Sequence, residues 1–185
     1  ADRLGRAARR TLAQRLFNLA INNGNIYDGV TFFHAASHGA NLRTVALAAA
    51  ELNTIRKVMR DQQEQNSAKA IGIGPSILVV PHGLEGAARQ ENMREFLSAA
   101  LDPNPVRFMF GANGERIIVS PLLSDANDYY TFADPREIQT FEIGFLQGRE
   151  QPELLLQDNP TVDKVFTADR IRYKVRHEYE VTVVD

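Results

Sequence analysis

Asp169-Arg170-Ile171-Arg172-Tyr173-Lys174-Val175-Arg176-His177-Glu178-Tyr179-Glu180-Val181-Thr182-Val183-Val184-Asp185 alternates almost without a break. Odd positions from Ile171 to Val183 carry apolar or aromatic side chains and His177; even positions from Arg170 to Thr182 carry charged or polar ones. A period of two puts these sets on opposite faces of a strand. As one strand the run would span roughly 50 Å at about 3.3 Å per residue, where ordinary strands stop at about 17 to 20 Å. A compact ball of this chain length has a radius of gyration of only about 16 Å. The pattern predicts one long strand and an elongated body shaped for contact with neighbours. Along its polar face the cations Arg170, Arg172, Lys174 and Arg176 precede the anions Glu178 and Glu180, an order that could pair with an oppositely running neighbour.

The other end reads as a helix over Ala1 to Asn23. Leu4, Ala8, Leu12, Leu16 and Leu19 form an apolar stripe, and Arg3, Arg6, Arg10 and Gln14 take the opposite face. The helix is under way from the first residue, with only Asp2 able to cap it, which reads as a piece of a longer chain. Arg3, Arg6 and Arg10 are candidates for contact with another subunit or with DNA, although a solvated helix face gives the same pattern.

Between the ends lies a mixed middle. Asn22-Asn23-Gly24 is a helix stop of the kind a left-handed glycine allows. A second helix carries Val45, Ala49, Leu52, Ile55 and Met59 and fades in the polar run 61–66. Ile77 to Val80 is a short buried strand stopped by Pro81, and helical spacing returns from Leu84 to Ala100. Arg116 to Val119 and Tyr129 to Ala133 read as further strands, closed by Pro121 and Pro135. Phe141, Ile143 and Phe145 share a face before Gln147-Gly148-Arg149, a plausible hairpin turn into Leu154 to Gln157. These two strands are the natural partners of the final one. The fold class is α+β.

Composition narrows the chemistry. With 185 residues the chain can build a real core in one domain or two joined ones, and zero cysteines exclude disulfides and thiolate chemistry. No apolar run approaches the roughly 18 residues of a membrane span, which argues against a membrane partner. A net charge of -2 argues against a dedicated nucleic-acid binder. The 17 arginines against 4 lysines suit bidentate interface contacts, a bias that a GC-rich genome would also produce.

Catalytic constellations are thin. His34 and His38 stand four apart with Asp28 nearby, a conceivable ligand set for a metal-dependent hydrolase, but Gly29 and Gly39 flank a segment without helical periodicity. His82 and His177 read as packing or surface residues. Gly72-Ile73-Gly74-Pro75 precedes a strand, whereas a phosphate loop follows one, and Gly83-Leu84-Glu85-Gly86 lacks the Lys and Ser/Thr of a P-loop. No serine sits in a nucleophile elbow. The sequence predicts no enzyme, no bound metal and no cofactor.

Several phrases fall in a familiar order. Leu4-Gly5-Arg6-Ala7-Ala8-Arg9-Arg10-Thr11 leads to Asn22-Asn23, then Tyr27-Asp28-Gly29-Val30-Thr31-Phe32-Phe33-His34 and His38-Gly39-Ala40-Asn41. Leu78-Val79-Val80-Pro81, Val119-Ser120-Pro121, Ala133-Asp134-Pro135, Phe145-Leu146-Gln147-Gly148 and Tyr173-Lys174-Val175-Arg176-His177 follow. Together they resemble the major head subunit of Mu-like phages and prophages. The resemblance implies the tailed-phage capsid fold first described for the Hong Kong phage and shared with encapsulins. Its peripheral domain, a long spine helix plus long antiparallel strands, would be residues 1–30 and 137–185, and its inserted α/β axial domain residues 31–136. It also implies subunits gathered as hexamers and pentamers in an icosahedral shell around double-stranded DNA, assembled in the bacterial cytoplasm. Scaffold or protease, portal and decoration proteins would be further partners. The N-terminal arm and extended loop that family members carry ahead of the spine helix have no counterpart in this sequence. An encapsulin-like compartment would keep the fold and enclose an enzyme instead of a genome.

Overall fold

The computed structural model describes residues 2–64, 67–97, 101–159, 161, 167–168 and 170–184. Ala1, Asp169 and Asp185, the outer ends of the predicted terminal elements, lie outside the described residues. So do residues 65–66 and 98–100, the ends of the two other predicted helical segments. The chain divides into two compact units, one of residues 1–19 with 141–184 and one essentially of residues 20–140.

The first unit contains most of helix α1 (Asp2–Asn22) and four strands: β4 (Phe141–Phe145), β5 (Glu153–Gln157), β6 (Arg172–Arg176) and β7 (Tyr179–Val183). The predicted single terminal strand is thus two strands, separated at His177-Glu178. Nor do β4 and β5 form the expected hairpin with each other. β4 pairs antiparallel with β7, from Phe141 opposite Val183 to Phe145 opposite Tyr179, and β5 pairs antiparallel with β6, from Glu153 opposite Arg176 to Gln157 opposite Arg172. Both strands do pair with the terminal segment.

The reason for the break lies in the connection. Residues 146–152, seven in number, stand opposite only 177–178, so five extra residues bulge out of the ribbon. Gln147 and Gly148 both take left-handed backbone angles, φ 55° and 71°, and turn this loop outward. The Leu146 N–H still donates to the Glu178 carbonyl at 3.2 Å. An odd excess switches side-chain parity on that strand, because successive residues face opposite ways. Hence the positions that share the apolar face are odd in β4 (Phe141, Ile143, Phe145) and even in β5 (Leu154, Leu156), with Leu155 on the other face opposite Lys174, while β6 and β7 keep odd apolar positions throughout. His177 fills the junction, its ring 5.6 Å from Phe145 and 4.9 Å from Tyr179.

The second unit holds a three-stranded sheet in the order β2 (Ile117–Val119), β1 (Ile77–Val80), β3 (Tyr130–Phe132). β1 is parallel to β2 and antiparallel to β3. β1 reads as a continuous apolar run because it is central, with Leu78, Val79 and Val80 all buried. Helices α2 (Ala49–Arg60) and α3 (Glu85–Met93) add Ala49, Leu52 and Ala88 to a core completed by Val106, Phe110 and Ile117.

Three boundaries differ from expectation. Asn23, not Gly24, is the left-handed residue after α1, with φ 45°. Its side chain brackets Phe33, accepting from that N–H at 2.6 Å and donating to that carbonyl at 2.8 Å. Helix α2 starts at Ala49, leaving Val45 exposed. Helix α3 stops at Met93 because Arg94 turns extended, and the buried Asn104 amide donates to the freed carbonyls of Glu91 and Arg94 at 2.8 and 2.9 Å.

Candidate interaction surfaces

The histidine segment is a loop that closes on itself. His34 Nδ1 accepts from the Ala36 and Ser37 N–H groups at 3.2 and 2.8 Å, so that nitrogen is already occupied by its own backbone. His38 places Nε2 2.9 Å from Asp28 Oδ2 and Nδ1 3.1 Å from the Phe32 carbonyl. The His38 contact, then the Val30 N–H, hold the Asp28 carboxyl below its ordinary value of 3.8. Asn41 locks the same turn, accepting from the His34 N–H and donating to the Phe32 carbonyl. Asp28 and His38 therefore meet as a pair, and His34 is turned to its own main chain. Among the described residues no three His, Asp or Glu side chains converge as a metal would require.

A second polar cluster went unrecognised in the sequence. Glu51, in the first turn of α2, is buried and takes a two-pronged contact from Arg43. Glu91 of α3 accepts from the Ala49 N–H at 3.1 Å and pairs with Arg94, so the start of α2 is capped from another helix. Tyr129 donates to the Val45 carbonyl at 3.1 Å, and burial, then the Glu51 charge, push its hydroxyl up to about 12. Only the acid in the first helical turn was visible in sequence as a signal. These groups are framework rather than a reaction centre: none forms a nucleophile and base pair.

The predicted contact residues lie on α1, β6 and β7 of the first unit, with Arg170 and Glu178 flanking β6. Arg3, Arg6 and Arg10 are exposed on α1, in a helix whose charges over residues 2–22 are five arginines and one aspartate. Arg170 is exposed ahead of β6; Arg172, Lys174 and Arg176 are exposed along it. Glu178 sits at the break and pairs with Arg176. Glu180, on β7, faces Arg15 at 3.4 Å. The cations and anions of the terminal segment are thus partly satisfied within the unit itself.

A family model described as phage capsid protein matches residues 1–185. The chain belongs to that phage capsid protein family. No curated protein and no solved structure matches it. Membership gives the capsid protein a structural role in the virion, with self-association into a shell. Among the described residues no helix is long and apolar enough to cross a membrane.

Proposed function

We propose that this capsid protein is the major head subunit of a Mu-like phage or prophage, built on the Hong Kong phage type of capsid fold. Copies of it would close an icosahedral shell of hexamers and pentamers around double-stranded DNA. The observation that carries the capsid part of this reading is the family match over residues 1–185, and the ordered phrases from Leu4 to His177 support the Mu-like part. The order of elements supports it: a long helix and a split antiparallel ribbon enclose an α/β unit in sequence, the arrangement that peripheral and axial domains require. In this assignment residues 1–30 and 137–185 are peripheral and 31–136 axial. Shell formation occurs in the bacterial cytoplasm, with scaffold or protease, portal and decoration proteins as partners.

Arg3, Arg6 and Arg10 contact either a neighbouring subunit or packaged DNA, the latter through phosphates and without sequence preference. Negative-stain microscopy of the full protein tests the reading: closed shells are expected, and uniformly small particles would overturn it. Reversing all three arginines to Glu should reduce assembly or DNA retention. Wild-type levels of both would remove this contact from the proposal.

A further inference from the structure

The first unit has very little interior. Of its described apolar side chains only Val181 is fully buried, whereas every other fully buried apolar residue belongs to the second unit. The deficit is concentrated on β5 and β6. Their register puts Leu154 opposite Val175 and Leu156 opposite Tyr173, and directly opposed side chains share a face. On that face Leu154 is 43%, Leu156 50% and Tyr173 55% exposed, with Ile171 just ahead of the strand at 57%. A two-stranded sheet is marginal in water by itself, and among the described residues this face is left about half exposed.

Building on the capsid reading, we infer that this face of the β5–β6 ribbon is covered by a second copy of the same chain. The amount of surface argues for a copy over an unrelated partner. Side chains of this size, about half exposed, offer on the order of 400 Å² per copy, half of the roughly 800 Å² per partner in a lone stable complex. A contact too small to stand alone becomes sufficient when a closed symmetric assembly repeats it many times. The opposite face sets the mode of approach. Arg172, Lys174 and Arg176 are exposed on β6, Arg176 being paired with Glu178, so two antiparallel β6 edges centred on Lys174 would still bring like charges against each other. The apolar face is left as the route of association.

The test follows Tyr173 by nitration and peptide mass spectrometry in separated subunits and in shells of the full protein. Tyr27, which is 68% exposed, provides the comparison in the same subunits. Tyr173 is expected to react as readily as Tyr27 in subunits and to lose its reactivity in shells. The double variant Leu156→Lys/Tyr173→Glu, which sets opposite charges across the two strands, is expected to keep the wild-type unfolding midpoint and to lose assembly. Tyr173 equally reactive in both states, or a double variant that assembles normally, overturns the inference. So does Tyr173 already shielded in subunits, which would mean that a single chain covers this face by itself. Wild-type protein that forms no shells removes the capsid reading and this inference together, whereas wild-type shells with a reactive Tyr173 remove only the inference.

Discussion

Single residues of the second unit hold backbone that would otherwise be unpaired. Asn92 is fully buried; its amide donates to the Gly111 carbonyl at 2.8 Å and accepts from the Phe110 N–H at 2.9 Å. Asn92→Ala strands both groups in the interior, each costing about 1 to 3 kcal/mol, so a loss of roughly 3 kcal/mol is expected in urea denaturation. Arg43→Ala leaves the Glu51 carboxylate buried without its cation, for a loss of about 3 kcal/mol. Replacing both by apolar residues, as Arg43→Met/Glu51→Leu, should recover most of it. Tyr129 gives the same cluster a pH signature. Its folded value near 12 lies above the ordinary 10.0, so the unfolded chain releases the proton first as pH rises. Its contribution is therefore complete below pH 10 and disappears as pH rises through about 12. Ultraviolet titration should show one phenolate appearing near 12, and Tyr129→Phe should abolish that step.

At the level of elements, legibility followed burial. β1 was readable to the residue because a central strand buried on both faces admits only apolar side chains, and Pro81 ends it. The terminal alternation gave the right faces for β6 and β7, yet it could not show the break, because odd positions remain apolar straight through His177. The break lies in the partner strand, whose register changes parity between Phe145 and Leu154, and because 154–156 are all leucine that change leaves no mark in the apolar pattern. The early end of α3 was hidden for a similar reason: the residue that receives its last carbonyls, Asn104, lies beyond the helix. Among candidate sites, the Asp28–His38 pairing was legible as proximity, whereas the use of His34 Nδ1 by its own backbone was not. The ribbon itself offers a paired test. Gly148 stands at φ 71° in open space, so Gly148→Ala should cost about 1 kcal/mol of conformational strain alone. Gly144, inside β4 and equally unobstructed but with no left-handed angle, should gain about 0.5 kcal/mol as alanine by restricting the unfolded chain. Denaturation midpoints moving in the same direction for both would contradict this account of the bulge.

For the whole molecule, the uneven distribution of buried side chains predicts uneven stability. Hydrophobic burial contributes about 25 cal/mol per Å², and among the described residues nearly all complete burial lies in the second unit. Local opening requires less free energy where few apolar contacts are lost. In separated subunits, the β5 and β6 amides should therefore exchange through low-energy openings, while those of Leu78 and Val80 exchange only at the global limit. Assembly should change the first set and leave the second nearly untouched, because ligation by a neighbour stabilises only the structure that it contacts. Hydrogen exchange with mass spectrometry on subunits and shells reads both sets at once. Strong protection of β5 and β6 in isolated subunits would mean that the first unit supplies its own stability, and the ribbon would then need no neighbour to remain folded.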